Sequence, residues 1–253
     1  MPTFYQMITE ICQEENISLE KFSDDWILRL KKGEKSLFFY GKLSNLNSAA
    51  SGHIASDKTA TYSLLKDSNI PAIPHYLVHQ KNPNATSILT KQTYPLVLKP
   101  NRGERGIDIF LCKSQKEATK TITTLLKKHE TICVSPYFEA IFEYRCLFLD
   151  GKVYFTYKKS KTDDKFFFNL CKGAKPSLVE QNDEKIRTIT QLAIDAANAI
   201  NIRFAAIDIL ESKTGELKIL EINQAFGTDR LIDALPETYK EIKELYRQAI
   251  LKM

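Results

Sequence analysis

No apolar run in this 253-residue chain approaches the roughly 20 residues that a helix needs to cross a bilayer. The opening Met1-Pro2-Thr3-Phe4 reads as neither a signal peptide nor a transit peptide. Five cysteines (Cys12, Cys112, Cys133, Cys146 and Cys171) make an odd set without CxxC or Cys/His metal spacing. Several sit in apolar runs, so they read as reduced thiols acting as small core residues. His53, His75, His79 and His129 have no nucleophile or metal spacing around them and read as structural or surface residues. GxSxG, HExxH and Cys/His pairings are missing, which leaves hydrolysis by a side-chain nucleophile unsupported. Internal repeats and low-complexity segments are also missing. The net charge of +5 is mild and its lysines are scattered, so a nucleic-acid patch is not indicated, whereas a basic cleft for a polyphosphate accounts for the same excess. What remains is a globular protein expected in the cytoplasm, 43% hydrophobic and 26% charged, long enough for one large domain or two intimate ones.

The most informative stretch runs from Ala205 to Asn223. Two aliphatic runs, Ala205 to Leu210 and Leu217 to Asn223, flank the polar Glu211-Ser212-Lys213-Thr214-Gly215-Glu216 and alternate their faces, the pattern of a hairpin. Asp208 shares a face with Ala206 and Leu210; Glu221 and Asn223 share one with Ile219. With Thr214 and Gly215 as the turn residues, Asp208 lies across from Glu221, and a slip of one residue separates them. An acid among buried aliphatics needs compensation. Two acids and an amide oxygen suit a hard divalent cation such as Mg²⁺; an edge hairpin with solvent-facing acids is the alternative.

Elsewhere, Phe4, Met7, Ile8 and Ile11 mark a helix over 3–15. Ile27 to Leu30 and Leu37 to Phe39 read as strands around Lys31-Lys32-Gly33, and 42–55 reads as a small, polar loop. Asp57 to Ser68 reads as a helix capped by Ser56, and Pro71 and Pro74 force an extended segment. Leu96 to Leu98 is a strand ending at Lys99-Pro100, followed by the loop Asn101 to Gly106 and a strand from Ile107 to Cys112. Ser114 and Glu117 form a capping box opening a helix to about Lys128, and Ile132 to Ser135 is a strand. Asp150-Gly151 suits a type I′ turn joining strands Tyr144–Leu149 and Lys152–Tyr157. A charged loop, Lys158 to Lys165, follows. Asp183 to Ile200 is the clearest helix, and Pro236 opens a closing one. The pattern is α+β.

Three further features could carry chemistry. Lys99 faces a loop with Gly103 and Gly106, which suits phosphate oxygens but lacks P-loop spacing; taken alone, a glycine-containing hairpin turn with a surface lysine is the simpler reading. Arg145 lies in an apolar strand with Glu143 on the same face, and either reaches a buried carboxylate or binds a ligand's anion. Lys158 and Lys159 extend that basic surface or are a solvated charge run.

The order of these pieces resembles the ATP-grasp carboxylate–amine ligases, nearest to the ATP-grasp modules of cyanophycin synthetases, bifunctional glutathione synthetases and glutamate-adding ligases. The pieces are Asp57-Lys58 opening a helix behind Ser48 to Ser56, Asn69-Ile70-Pro71-Ala72-Ile73-Pro74, Val97-Leu98-Lys99-Pro100 with its glycine loop, Glu143-Tyr144-Arg145, and Asp208 with Glu221-Ile222-Asn223. The resemblance covers about residues 45–230. It implies an ATP-grasp fold of two α+β subdomains clasping ATP (about 53–138 and 139–253) behind a reduced N-terminal region, 1–52. It also implies that Lys58 and Lys99 contact ATP phosphates and that the 101–106 loop, with Arg102, Gly103 and Gly106, closes over the γ-phosphate. Ser135, Pro136, Tyr137 and Phe138 would hold adenine, and Glu143 the ribose. Arg145, Lys158 or Lys159, and Asn223 would act on the phosphoryl group. Asp208, Glu221 and Asn223 would hold Mg²⁺, two ions being expected and Mn²⁺ able to substitute. The implied reaction phosphorylates a carboxylate to an acyl-phosphate that an amine then attacks, through positioning and charge neutralisation.

The chain departs from the family in four places. Pro136-Tyr137-Phe138 lacks a hinge acid, and Asn223-Gln224-Ala225-Phe226-Gly227 lacks the usual proline. Glu104 and Arg105 stand where small residues are common, and Ala174 replaces a glycine after Asn169-Leu170-x-x-Gly173. The first 45 or so residues are short for the preceding domain, so the acid expected is a small-molecule, peptide or protein carboxylate, without nucleic-acid or membrane partners and with a homodimer compatible. The rival readings are an ATP-grasp kinase acting on a hydroxyl, a non-catalytic nucleotide-binding module, and a single-strand nucleic-acid binder stacking bases on Phe166, Phe167 and Phe168.

Overall fold

Alternating side chains and strong turns build three antiparallel sheets in the computed structural model, which describes residues 3–81, 85–103, 106–162, 166–180 and 183–253. Glu104 and Arg105, and residues 163–165 of the charged loop, lie outside the described residues.

Helix α1 (Phe4–Glu14) starts at a reciprocal capping box: the Thr3 hydroxyl accepts the Gln6 N–H, and the Gln6 side chain accepts the Thr3 N–H. The first sheet follows, in the order β1 (Ser18–Phe22), β2 (Ile27–Lys32), β3 (Lys35–Tyr40), β4 (Leu43–Ser44). Helices α2 (Ala49–Ala55) and α3 (Lys58–Asp67) lead into the second sheet. Its strands β5 (Tyr76–His79), β6 (Leu96–Pro100), β7 (Phe110–Cys112) and β8 (Thr131–Pro136) lie in the order β5-β8-β6-β7, with α4 (Ala85–Leu89) and α5 (Gln115–Leu125) between them in sequence. Ala118, Ile122 and Leu125 of α5 cover Leu96, Leu98, Ile132 and Val134. The third sheet contains β9 (Ala140–Leu149), β10 (Lys152–Ser160), β11 (Lys175–Leu178), β12 (Phe204–Ser212) and β13 (Leu217–Asn223), in the order β11-β10-β9-β12-β13. Helix α6 (Glu184–Ala199) interrupts it in sequence, and α7 (Asp229–Ala234) and α8 (Tyr239–Leu251) close the chain.

Several expectations need correction. The stretch 42–55 is not a loop, since it contains β4 and α2. Ser48 caps α2 by accepting the Ser51 N–H, and its buried residues are the small Ser51, Gly52 and Ala55. A helix that packs by close approach shows no apolar stripe in sequence. A Cβ added at Gly52 would lie 2.1 Å from Oε1 of Gln224. The cap of α3 is Asp57 rather than Ser56: the Asp57 carboxylate accepts the Ala60 N–H, while the Ser56 hydroxyl donates back to the Gly52 carbonyl and ends α2. Strand β7 starts at Phe110, not Ile107, because Asp108 has a positive φ of 55°. Strand β10 runs to Ser160, where β11 pairs with it, so the charged loop starts later than expected. The Asp150-Gly151 turn has φ of 44° and 83°, as a type I′ turn requires.

The third sheet positions the site. One face, with Tyr144, Cys146, Phe148, Ala205, Ile207 and Ile209, packs on Ile186, Ile189, Ala193 and Ala197 of α6. The opposite face changes character along its length. Leu147, Leu149, Phe204 and Ala206 are buried in one core with α1, the inner side of the first sheet, and α8. The region from Phe4 to Leu46 therefore shares a core with the end of the chain. Further along the same face come Arg145, Glu143, Asp208 and Lys159.

Candidate functional site

That charged end is a network. The Arg145 guanidinium donates to both Asp208 oxygens, Nε to Oδ1 at 2.7 Å and Nη2 to Oδ2 at 2.5 Å, and Lys159 Nζ lies 3.3 Å from Oδ1. Lys159 also pairs with Glu143. Arg145 thus reaches a buried carboxylate, with its side chain still 20% exposed. Burial alone would raise the Asp208 carboxyl, but Arg145 and then Lys159 outweigh it and hold the group below the usual carboxylate range. Glu143 sits deeper relative to its compensation: burial pushes its carboxyl up to about 7 despite the Lys159 ammonium beside it.

Asp208 pairs across the hairpin with Glu221, by a route other than the expected turn. Near the turn the partners are Glu211–Leu217, Leu210–Lys218 and Ile209–Ile219, which centre the connection on Thr214. Leu220 is then an extra residue in β13, and the bulge restores the Asp208–Glu221 pair. In consequence Ile219 does not share a face with Glu221; it packs with Ile207, Ile209 and Ile222 on the α6 side. Asn223 Nδ2 donates to Asp208 Oδ2 at 3.1 Å and Glu221 Oε1 at 3.3 Å, so the three side chains meet.

Beyond them a cleft, partly open to solvent, runs between the second and third sheets. His75, Lys99, Ser135 and Glu143 are its polar lining, and Pro136, Tyr137, Phe138, Val97, Leu210, Leu220 and Phe166 to Phe168 line the rest. Burial lowers the Lys99 ammonium. Lys58, at the start of α3, is 8% exposed; its Nζ donates to the Gly103 carbonyl at 2.9 Å and lies 3.9 Å from Glu221 Oε2. The loop is tied at its base, because the Asp57 carboxylate accepts from Asn101 and Arg102. At its far end Lys172 Nζ donates to the Gly106 carbonyl and lies over the Phe167 ring. Gly106 has a φ of +67° that favours glycine.

The structure therefore brings together Lys58, Lys99, Gly103, Ser135, Pro136, Tyr137, Phe138, Glu143, Arg145, Lys159, Asp208, Glu221 and Asn223. Arg102 is exposed and engaged by Asp57. Lys158 is a correction: strand alternation points it to the opposite face, its Nζ 4.3 Å from the Phe142 ring centroid. Three contributors escaped sequence reasoning. Phe166 to Phe168 were weighed only as a base-stacking platform, yet they wall the cleft. Lys172 carried no motif beyond the partial Asn169-Leu170-x-x-Gly173 match. His75, read as structural, lies between the cleft and the Lys58–Glu221 pair.

The oxygens of Asp208, Glu221 and Asn223 test whether a divalent cation fits. A half-turn of the Asn223 amide presents its oxygen toward both carboxylates. Mg²⁺ ordinarily takes one or two carboxylates, completing its shell with waters and phosphates, and this donor set fits that pattern. Among the described residues no cluster of three or more His, Cys, Asp or Glu could cage an ion, so an ion here would lean on phosphates.

The fold is that of known ligases of the ATP-grasp class. A D-alanine–D-alanine ligase from Bacillus anthracis matches with a TM-score of 0.67 over 81% of this chain and 70% of its own, at 17% identity, a likeness of fold. The same enzyme complexed with ATP matches with a TM-score of 0.61 over 78% of this chain and 70% of its own, also at 17% identity. The model of the RimK-like ATP-grasp domain matches residues 55–237, and the chain belongs to that family. A probable alpha-L-glutamate ligase from Marinomonas sp. (strain MWYL1) is 31% identical over 142 residues, 55% of this chain and 46% of that protein. Another, from Mannheimia succiniciproducens, is 27% identical over 189 residues, 74% of this chain and 61% of that protein. The chain spans about half the length of the first curated relatives it matches. No helix among the described residues is long and apolar enough to cross a membrane.

Proposed function

We propose that this protein is an ATP- and Mg²⁺-dependent carboxylate–amine ligase that forms an amide bond through an acyl-phosphate and releases ADP. The observation that carries the reading is the junction of an apolar, aromatic cleft with Lys58, Lys99, Arg145 and Lys159 at one end and the Asp208–Glu221–Asn223 set beside them. An ATP-sized ligand placed base-first against Tyr137, Phe138 and Phe166 to Phe168 directs its phosphates at those cations. The ATP-grasp domain would span about 53–253, its two lobes being the second and third sheets with their helices.

In this mechanism Lys99 and Lys58 neutralise phosphate charge, and Lys58 also holds the Gly103 carbonyl and so the loop above. Asp208, Glu221 and Asn223 would hold Mg²⁺, which would supply charge neutralisation for the phosphates. The acceptor carboxylate attacks the γ-phosphorus and ADP leaves; the amine then attacks the acyl carbon, and phosphate leaves. Arg145 and Lys159 stabilise the charge that develops on the transferred oxygens. The loop clasped by Lys172 excludes water from the acyl-phosphate. Relatives named as glutamate ligases support an amino acid as the amine.

ATP consumption with Mg²⁺ across amino acids and short peptides, with products weighed by mass spectrometry, tests the reading. The expected result is ADP together with a product heavier by one amide-linked residue. A stable phosphate ester would replace the ligase with a kinase. Failure to bind ATP would overturn the whole reading.

A further inference from the structure

His75 makes two hydrogen bonds that join separate parts of the site. It lies on the extended segment after Pro71, which runs beside β13: the Ile219 N–H donates to the Pro71 carbonyl and the Ile73 N–H to the Ile219 carbonyl, both at 2.9 Å. The imidazole is 5% exposed. Its Nε2 is 3.2 Å from the Leu220 carbonyl and its Nδ1 is 2.6 Å from the Ser135 hydroxyl. A carbonyl only accepts, so Nε2 carries the proton and Nδ1 accepts from Ser135. A neutral ring satisfies both partners, and burial beside Lys99 and Lys58 keeps it neutral.

Leu220 is the extra residue of the β13 bulge, without a cross-strand partner in β12. The bulge is what sets Glu221 opposite Asp208. Without it Leu220 would face Asp208, and Glu221 would fall across from Ile207 on the apolar side. The Leu220 carbonyl accepts from His75 Nε2, so the imidazole ties the extra residue of the bulge to the segment packed beside β13. Ser135, on the other side of the ring, opens the Ser135–Phe138 wall of the cleft.

We propose that His75 is a positioning residue that pins the Leu220 bulge and so presents Glu221 to a divalent cation, coupling that acid to the nucleotide wall through Ser135. The proposal rests on the ATP- and Mg²⁺-binding part of the reading above. Losing a group that orients a metal ligand typically costs about 10- to 100-fold in metal affinity.

The test is calorimetric binding of ATP with and without Mg²⁺, which needs no knowledge of the acceptor. His75→Gln keeps a donor near the Nε2 position, whereas His75→Asn keeps contact with Ser135 but falls short of Leu220; His75→Leu removes both. The expected result is that the tightening of ATP binding by Mg²⁺ falls about tenfold or more in His75→Asn and His75→Leu and is largely retained in His75→Gln. ATP binding without Mg²⁺ is the baseline against which the Mg²⁺ gain of each variant is read. Should His75→Leu fail to fold, the Gln/Asn pair decides the matter alone. Equal Mg²⁺ gains in His75→Gln and His75→Asn would overturn the role of His75. Absence of ATP binding in the unmodified protein would instead refute the nucleotide reading itself.

Discussion

Removing Arg145 should cost far more than removing Arg145 and Asp208 together. The buried network contains two cations, Arg145 and Lys159, and two carboxylates, Asp208 and Glu143. Arg145→Met leaves one cation for two acids, with Asp208 only 1% exposed. Breaking a buried pair by deleting one partner costs about 3–5 kcal/mol, because the survivor is stranded, whereas replacing both by apolar groups is often neutral. For a chain of this size each kcal/mol moves Tm by roughly 2–4 °C, so Arg145→Met should melt about 6–20 °C lower. In the double variant Arg145→Met/Asp208→Leu, Lys159 keeps Glu143 and the charges balance again. Its loss should be smaller than that of Arg145→Met alone, and so well short of the sum of the two single losses, the non-additivity expected of residues in contact. Urea and thermal unfolding followed by circular dichroism measure all four proteins. Additive losses, or a double variant no more stable than Arg145→Met, would refute the claim that Asp208 is held by compensation.

Glu221→Ala should abolish Mg²⁺-dependent ATP consumption while lowering stability by less than about 1 kcal/mol, because its partners are an amide and a lysine 3.9 Å away at a partly exposed site; undiminished turnover would remove Glu221 from the metal set. A second expectation concerns pH. Burial, with Lys99 and Lys58 nearby, keeps His75 well below the ordinary imidazole value of about 6.5. The unfolded chain therefore takes up a proton near that pH and the folded chain does not. The contribution is fully present above about pH 6.5 and is lost as pH falls, at up to about 1.4 kcal/mol per pH unit. His75→Gln should remove this component, so the stability difference between the two proteins should change between pH 7 and pH 5; a constant difference would contradict the buried neutral ring.

Local chemistry made much of the fold legible. The Asp150-Gly151 turn, the Ser114 cap and the amphipathic stripe of α6 each act within a few residues, and each appears where the sequence places it. Helix α2 was hidden because its contacts use small residues, and its neighbour Gln224 is 172 positions beyond Gly52. His75 was hidden for a related reason. Its two partners, Ser135 and Leu220, are 60 and 145 positions away, and a lone histidine in a proline-flanked segment announces neither.

Parity along the strands was the harder matter, and both hairpins show why. Counting outward from Asp150-Gly151, Lys152 pairs with Leu149, which would carry Lys158 opposite Glu143 and leave Lys159 across from Phe142. Tyr154 is an extra residue in β10, however, and beyond it the pairs are Lys159–Glu143 and Lys158–Tyr144. The bulge at Leu220 acts in the same way on β13. A one-residue shift moves every later side chain to the other face, so two bulges decide which lysine and which acid enter the cleft. The opposite parity would turn Lys159 toward the α6 side, away from Glu143 and Asp208, the carboxylates that compensate it now. Bulges depend on what packs against the strand from elsewhere in the chain, as Pro71 to His75 do against Leu220. The charged site is therefore written in the local sequence as residue types, while its geometry is set by two extra residues that only the assembled sheet makes visible.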